Sequence, residues 1–243
     1  MLEIDSIASK AVRGDRTVWV QRSTLRDPRT IFLFLDEELY LERVKANAMI
    51  DGLQEELRFP SASAVYLSYG KVADRHVDFT CSRRFSEFLI EELVPWVERN
   101  VHPFEHIVLC GLSLSGLAAL YASLEYPNAF SGVLSQSPSA WWNHEWLSMN
   151  LPPSGDVSPR IWLSVGNQEI QEHVTHAPSN LYQRVSQNFS CRRVAQGLQA
   201  AGHSVYFSEF DGGHDPVCWA GELAESLFWL LQPTETVVRS ERP

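Results

Sequence analysis

Continuous apolar runs alternate with segments of helical periodicity along most of the chain. Seven runs rich in β-branched and aromatic residues predict strands at 16–21, 30–36, 63–69, 106–111, 130–137, 160–166 and 204–210. Apolar residues spaced by three to four predict helices at 83–99, 115–126, 179–201 and 217–231, the first of them kinked at Pro95. Strands without polar positions are typical of parallel sheets covered on both faces. The alternation therefore predicts an α/β fold, with a mostly parallel central sheet and helices on both faces.

The segment 138–159 departs from this alternation. It contains three tryptophans and four prolines and shows no helical or strand period. A long irregular insertion after a strand is often a lid or a pocket wall, and large apolar side chains are costly to expose. We therefore expect 138–159 to cover or line a pocket, with Trp141 and Trp142 contacting the substrate.

Composition and charge limit the classes of function. The 243 residues are 44% hydrophobic, without a linker or repeat, which predicts a single domain over 1–243. A net charge of −10 argues against nucleic-acid or anionic-membrane partners, which require clustered basic residues. The sequence has no 18-residue apolar run, no signal-peptide pattern and no CxxC pair. We expect a cytoplasmic protein with free thiols, and the sequence leaves the question of a homo-oligomer open.

An abrupt strand-to-helix turn lies in VLCGLSLSGLAALY, residues 108–121. The pentapeptide GLSLS that begins at Gly111 follows the nucleophile-elbow pattern G-x-S-x-G, with Ser115 in place of the second glycine. The pattern requires small residues on either side because the nucleophile is held in a strained turn. If Ser115 were the nucleophile, the bulky Leu117 would occupy such a position, so Ser113 is the predicted nucleophile.

A serine nucleophile needs a base, and the sequence offers one after the last predicted strand. In FDGGHDPVCW, His214 follows two glycines and precedes the last predicted helix. Ser, acid and His follow one another in this order in α/β-hydrolases, which makes His214 the predicted general base.

The acid of such a triad is expected after the strand 160–166. Glu169 lies closest to the end of that strand and is the predicted acid, with Glu172 as the alternative. Asp211 and Asp215 flank the histidine and are typical of turn or capping residues.

Metal binding is a second interpretation of the same region. Glu169, Glu172, His173 and His176 have helical spacing, but they do not form an established zinc signature. We therefore predict no metal and no organic cofactor.

Long blocks around these residues resemble a known family. The blocks are GLSLSGLAALYASLEYPNAFSGVLSQSPSAWW, DGGHDPVCW and FLFLDEELY. They are similar to enterochelin (enterobactin) esterases and, more widely, to the group that includes esterase D and the antigen 85 mycolyltransferases. The resemblance implies an α/β-hydrolase fold and ester hydrolysis by Ser113 and His214.

The resemblance also implies further site residues. Two backbone N–H groups would form the oxyanion hole, those of Leu114 and Glu38. Relatives have a glycine where this chain has Glu37. Arg75 matches an arginine position of relatives that cleave the trilactone of an anionic ferric siderophore complex. Contact with such a substrate, ordering of the pocket wall and a surface salt bridge are the alternatives for this arginine.

The predicted function is that of a serine carboxylic-ester hydrolase that acts through an acyl-enzyme on a small-molecule ester. The resemblance implies siderophore lactones of the enterobactin type as substrates. The alternatives are an acyltransferase, a carbohydrate or feruloyl esterase of the same fold, and a non-catalytic binding protein with a hydrolase fold.

Overall fold

The structure is a computed structural model that describes residues 1–56 and 58–232. Eight strands form one sheet in the order β1-β2-β4-β3-β5-β6-β7-β10. Their bounds are β1 Leu2–Ile7, β2 Arg16–Gln21, β3 Thr30–Leu35, β4 Ala62–Leu67, β5 His106–Leu112, β6 Gly132–Gln136, β7 Arg160–Gly166 and β10 Val205–Phe210. A separate antiparallel hairpin consists of β8 Val174–His176 and β9 Leu181–Gln183.

Helices connect these strands. Their bounds are α1 Glu37–Leu39, α2 Ala46–Glu55, α3 Val72–Asp78, α4 Arg83–Glu87, α5 Val94–Asn100, α6 Ser113–Glu125, α7 Trp142–Met149, α8 Gln187–Ala200 and α9 Pro216–Leu231. Two π-helical segments, Tyr40–Val44 and Phe88–Leu93, continue α1 and join α4 to α5. No described helix is both long and apolar enough to cross a membrane.

The sheet is mainly parallel, as the sequence predicts. Strands β4, β3, β5, β6, β7 and β10 pair in parallel, whereas β2 pairs antiparallel with both β1 and β4. Parallel strands end at a common edge of a sheet, and ligands bind beyond their carboxyl ends. The turns after β3, β5, β6, β7 and β10 are therefore the places where a site can assemble.

An apolar core covers each face of the sheet. All six residues of β3 are buried, and successive side chains point to opposite faces. Leu33 packs in one core with α4 and α6, and Phe34 packs in the other with α9. Because both faces are covered, the central strands lack the polar alternation of a solvent-exposed sheet, which explains why the apolar runs predict them well.

Several elements differ from the prediction. The apolar pattern does not indicate β1, α1, α2 or α3, and the helix predicted at 179–201 begins only at Gln187, after the hairpin β8–β9. The helix predicted at 83–99 is interrupted by the π-helical segment just before Pro95, whose ring cannot continue regular helical bonding. The segment 138–159 is not wholly irregular, since it contains α7.

Candidate active site

Ser113 lies at the first residue of α6, directly after the carboxyl end of β5. Its φ of 55° is the left-handed conformation that a sharp strand-to-helix turn requires. A Cβ on Gly111 would lie 2.1 Å from the carbonyl oxygen of Ser115, so this position requires glycine. Ser115 is buried, and its hydroxyl contacts both the N–H (3.0 Å) and the carbonyl oxygen (2.7 Å) of Leu112. The serine that replaces the second glycine thus stabilises the turn through hydrogen bonds of its buried hydroxyl with the backbone of Leu112.

Three side chains form a continuous hydrogen-bonded chain at this turn. Nε2 of His214 lies 3.0 Å from Oγ of Ser113, and Nδ1 of the same ring lies 2.7 Å from Oε2 of Glu169. The carboxylate comes from the turn after β7 and the imidazole from the turn after β10. A hydroxyl, an imidazole and a carboxylate in this order can activate the hydroxyl as a nucleophile.

The Glu169 carboxylate is held by several donors. Its Oε1 accepts a hydrogen bond from the Ser137 hydroxyl (2.6 Å) and from the Gly166 N–H (2.8 Å), and its side chain is 2% exposed. The Ser137 hydroxyl also accepts the indole N–H of Trp219, whose ring meets the His214 ring edge to face. Glu169 and His214 are therefore connected both directly and through Ser137 and Trp219.

The other acidic residues of this region lie elsewhere. Glu172 is exposed, and its carboxylate makes no hydrogen bond with His214. Asp211 accepts from the side chains of Asn167 and Gln168, and Asp215 caps α9 by accepting the Val217 N–H at 2.8 Å. Of the two glutamates that the sequence left as alternatives, the structure brings Glu169 to the histidine.

The two predicted oxyanion donors have different surroundings. Leu114 lines the cavity at Ser113, and its N–H lies in the first turn of α6, where N–H groups have no partner within the helix. Glu38 is not among the residues that line the cavity. Its carboxylate accepts the Ser68 hydroxyl at 2.5 Å, and burial raises the pKa of this carboxyl.

Arg75 lies at the cavity wall and forms a buried ion pair. Its Nε and Nη2 contact both carboxylate oxygens of Asp36, at distances between 2.5 and 3.1 Å. The Asp36 side chain is fully buried, and the Arg75 side chain is 15% exposed. Of the three alternatives for Arg75, the structure rules out the surface salt bridge, because the aspartate lies buried inside the turn that follows β3.

A cavity of about 540 Å³ opens at Ser113. The residues that line it are Arg75, His76, Ser113, Leu114, Ser139, Trp141, Gln168, Glu169, Gln171, His176, Ala177, Ser179, Leu181, Gln183, Gln187, Gly213 and His214. Most of them come from the turns after the strands and from the segment 168–187, which includes the hairpin β8–β9.

Of the two tryptophans predicted to contact the substrate, one lines this cavity and the other does not. Trp141 lines it, stacks on His176 with ring centroids 4.9 Å apart, and donates its indole N–H to Gln187. Trp142 does not line the cavity; its ring packs edge to face against Trp146 beside the core. The prediction that Trp142 contacts the substrate thus disagrees with its position, because adjacent residues in this turn point in different directions.

The glutamate and histidine pattern at 169–176 does not form a metal cluster. Within residues 1–56 and 58–232, no group of three or more His, Cys, Asp or Glu side chains converges in a way that could hold a metal ion. His173 contacts the Tyr182 hydroxyl, and His176 contacts the side chain of Gln183.

Three residues at the site were not singled out from the sequence, namely Ser137, Gln187 and Trp219. Gln187 donates to the backbone carbonyls of Ser137 and Pro138, and so fixes the turn after β6. The position of Ser137 at the carboxyl end of the predicted strand 130–137 is a signal that could have indicated it. Gln187 and Trp219 lie in helices, and only tertiary packing brings them here.

The parallel sheet and the serine at the strand-to-helix turn after β5 place the protein in the class of α/β-hydrolases. More particularly, the chain belongs to the family described as "Putative esterase", whose model matches residues 9–230.

Similar proteins include several siderophore esterases. The chain is 29% identical over 239 residues to the iron(III) enterobactin esterase of Escherichia coli (strain K12), covering 93% of this chain and 56% of that protein. It is 27% identical to the corresponding protein of Dickeya dadantii (strain 3937), covering 92% of this chain and 53% of the relative. A crystal structure of the enterobactin esterase from Shigella flexneri in the presence of enterobactin superposes with a TM-score of 0.82 at 26% identity, covering 96% of this chain and 59% of the other. The chain thus spans a little over half the length of these relatives.

Proposed function

We propose that this chain hydrolyses carboxylic esters through an acyl-enzyme on Ser113. His214 removes the proton from the hydroxyl as its oxygen attacks the ester carbonyl, and the Glu169 carboxylate stabilises the imidazolium that forms. The Leu114 N–H, which lies at the cavity, stabilises the negative charge on the tetrahedral oxygen, whereas Glu38, which the resemblance implies as the second donor, lies outside the cavity lining. The imidazolium protonates the leaving alcohol. Water then attacks the acyl-enzyme, with its proton passing to His214, and releases the acid and free Ser113.

The observation that supports this proposal most strongly is the chain of two hydrogen bonds from Ser113 through His214 to Glu169. The imidazole is oriented by a buried carboxylate at one nitrogen and faces the hydroxyl with the other. The turn that holds the serine leaves its hydroxyl at the mouth of a cavity that can admit a small ester.

Siderophore lactones are the first substrates to test. The relatives at 29% and 27% identity are named iron(III) enterobactin esterases, and their similarity covers nearly all of this chain. We propose a lactone of the enterobactin type as a substrate, and a cytoplasmic location, for which the four unpaired cysteines are the support.

Labelling with a fluorophosphonate probe tests the nucleophile. The wild-type protein is expected to be labelled and Ser113→Ala is expected not to be. Equal labelling of the two proteins, or no labelling of the wild type, would contradict the proposal and favour a binding protein with a hydrolase fold.

A hydrolysis screen tests the substrate class. It compares short aryl esters, feruloyl esters, acetylated sugars and an enterobactin-type lactone, with His214→Ala as the inactive control. If simple esters are hydrolysed and the lactone is not, the lactone assignment fails and the esterase proposal stands. Adding an acceptor alcohol and analysing the products distinguishes hydrolysis from acyl transfer.

A further inference from the structure

The wall of the catalytic cavity is almost free of net charge. No lysine, and no arginine besides Arg75, is among the described residues that line it. Outside the catalytic residues, the polar side chains of the wall are amides and hydroxyls, such as those of Gln168, Gln171, Ser139 and Ser179, together with two histidines. A wall of this kind can form hydrogen bonds with a neutral ligand but has little charge to offer an anion.

The single arginine is already neutralised. Both oxygens of the fully buried Asp36 carboxylate accept hydrogen bonds from the Arg75 guanidinium. An anion that bound here would have to compete with a carboxylate that is fixed by the fold. The neighbouring His76 has little tendency to become a cation, because burial and the nearby Arg75 lower the pKa of its imidazole.

The buried amide side chains of the wall already form hydrogen bonds within the protein. Gln187 is hydrogen-bonded to Trp141 and to two backbone carbonyls, and Gln183 is hydrogen-bonded to His176 and to the carbonyl of Gln171. These side chains hold the wall in place and cannot turn to form a new anion site without losing buried hydrogen bonds. The exposed side chain of Gln171, by contrast, is open to the cavity.

The net charge of the molecule, and the position of two other arginines in a neighbouring groove, also indicate that the cavity does not attract anions. The net charge of −10 repels anions at long range. Arg184 and Arg193 line a separate groove of about 260 Å³, which Trp141 also lines. Arg193 forms an ion pair with Glu145 at 2.9 Å. These arginines lie outside the set of residues that surround Ser113.

From these observations we infer that the cavity at Ser113 selects esters whose acyl group is uncharged and discriminates against matched esters whose acyl group carries an anion. The inference rests on the proposed esterase function and narrows its substrate class: among lactones of the enterobactin type, the cavity would favour an uncharged, iron-free lactone over an anionic ferric complex. The wall supplies hydrogen-bond donors and acceptors without a free cation, so an anionic group would lose its hydration without gaining a partner.

Three rigid aryl esters test this selectivity. They are 4-nitrophenyl benzoate, its 4-carbamoyl derivative and its 4-carboxy derivative; the last two share a shape and differ by one charge. Values of kcat/KM are divided by the rate of alkaline hydrolysis of each ester, which removes differences in intrinsic reactivity. We expect the carboxylate to be a poorer substrate than the amide by about tenfold or more, because its charge has no partner in the cavity.

A variant that adds a cation provides the complementary test. In Gln171→Lys the ratio of the carboxylate to the amide is expected to rise by about tenfold, since the new ammonium can pair with the substrate. Gln171→Met, which is similar in length and neutral, is expected to keep the wild-type ratio.

The outcomes separate this inference from the proposed function. A wild-type ratio near or above one, or a ratio that Gln171→Lys leaves unchanged, overturns the inference while the esterase proposal stands. Labelling of Ser113 by a fluorophosphonate without turnover of either neutral ester also overturns it. If no ester is hydrolysed and the probe does not label Ser113, the esterase proposal fails and the inference fails with it.

Discussion

The left-handed conformation of Ser113 depends on the residue two positions earlier. The backbone of Ser115 passes so close to Gly111 that no side chain fits between them. The elbow pattern in the sequence predicts this contact, because a glycine is required wherever two backbone segments touch. The pattern does not predict that the Ser115 hydroxyl closes the turn by bonding to Leu112, since that bond depends on a rotamer.

Gly111→Ala is expected to lower the free energy of unfolding by roughly 3 kcal/mol, because the added methyl would overlap the carbonyl of Ser115 and force the turn apart. Urea unfolding measures the change. Gly52→Ala is the matched control, since nothing lies within 4 Å of the added methyl in helix α2. We expect this control to be neutral or to stabilise the protein by up to about 1 kcal/mol. Equal effects of the two substitutions would contradict the steric argument.

Glu169→Gln is expected to lower kcat by roughly 10³- to 10⁴-fold, because an amide cannot stabilise the imidazolium and favours the wrong tautomer of His214. Steady-state hydrolysis of an aryl ester measures the loss. Glu172→Gln, three residues further along and exposed, is expected to keep the wild-type kcat. The opposite result would exchange the roles of the two glutamates. The sequence could not choose between them because the choice depends on Ser137 and Gly166, which meet Glu169 only in the folded chain.

Among the elements, the turn after β3 is held in place by a buried ion pair. Asp36 adopts a φ of 68°, and its carbonyl oxygen accepts the N–H groups of Leu39 and Tyr40. Arg75 reaches this turn from α3 and fixes the aspartate by contacts with both of its oxygens. The resemblance placed Arg75 at the site. Its partner Asp36 could not be predicted, because the sequence gives little apolar pattern for α3 and so does not show that this helix packs against the turn after β3.

Arg75→Met is expected to lower the free energy of unfolding by about 3 kcal/mol, because it leaves the Asp36 carboxylate buried without a partner. The comparison is Arg83→Met, which removes an exposed ion pair with Glu87 four residues away in the chain. We expect that change to have a much smaller effect, because water screens an exposed ion pair. Urea denaturation of the two variants decides the matter, and a loss below 1 kcal/mol for Arg75→Met would contradict a role of the pair in stability.

The hairpin β8–β9 and the strand β1 are elements that the apolar pattern of the sequence could not predict. Four of the six residues of β1 are exposed, so its sequence has no buried face to indicate a strand. Each strand of the hairpin has three residues, too few for a period. The hairpin lies in the segment that lines much of the cavity, so the least predictable element contributes much of the wall.

For the molecule as a whole, pH is expected to act on stability through Glu37. Burial and the adjacent acidic residues Glu38, Glu42 and Asp36 raise the pKa of this carboxyl from 4.5 to about 7. Between these two values the folded state binds more protons than the unfolded state. The contribution of Glu37 to the free energy of unfolding therefore falls as the pH rises from 4.5 to about 7.

Glu37→Gln removes this dependence. The stability of the variant relative to the wild type is expected to increase between pH 5 and pH 8, as measured by urea unfolding at both values. Glu91→Gln, which changes an exposed carboxyl, serves as the control and is expected to keep a constant difference from the wild type. A difference between Glu37→Gln and the wild type that does not vary with pH would contradict an elevated pKa at this position.

The positions of Ser113 and His214 in the sheet have one more consequence. The serine follows β5, an interior strand with six of its seven residues buried. The histidine follows β10, which is the last strand of the sheet within the described residues, pairs with β7 and has no fully buried residue. Edges of this kind open locally at a lower free energy than the centre of a protein. Local opening of β10 is expected to abolish the proposed ester hydrolysis while most of the molecule keeps its native circular dichroism, so loss of turnover would report the earliest stage of denaturation.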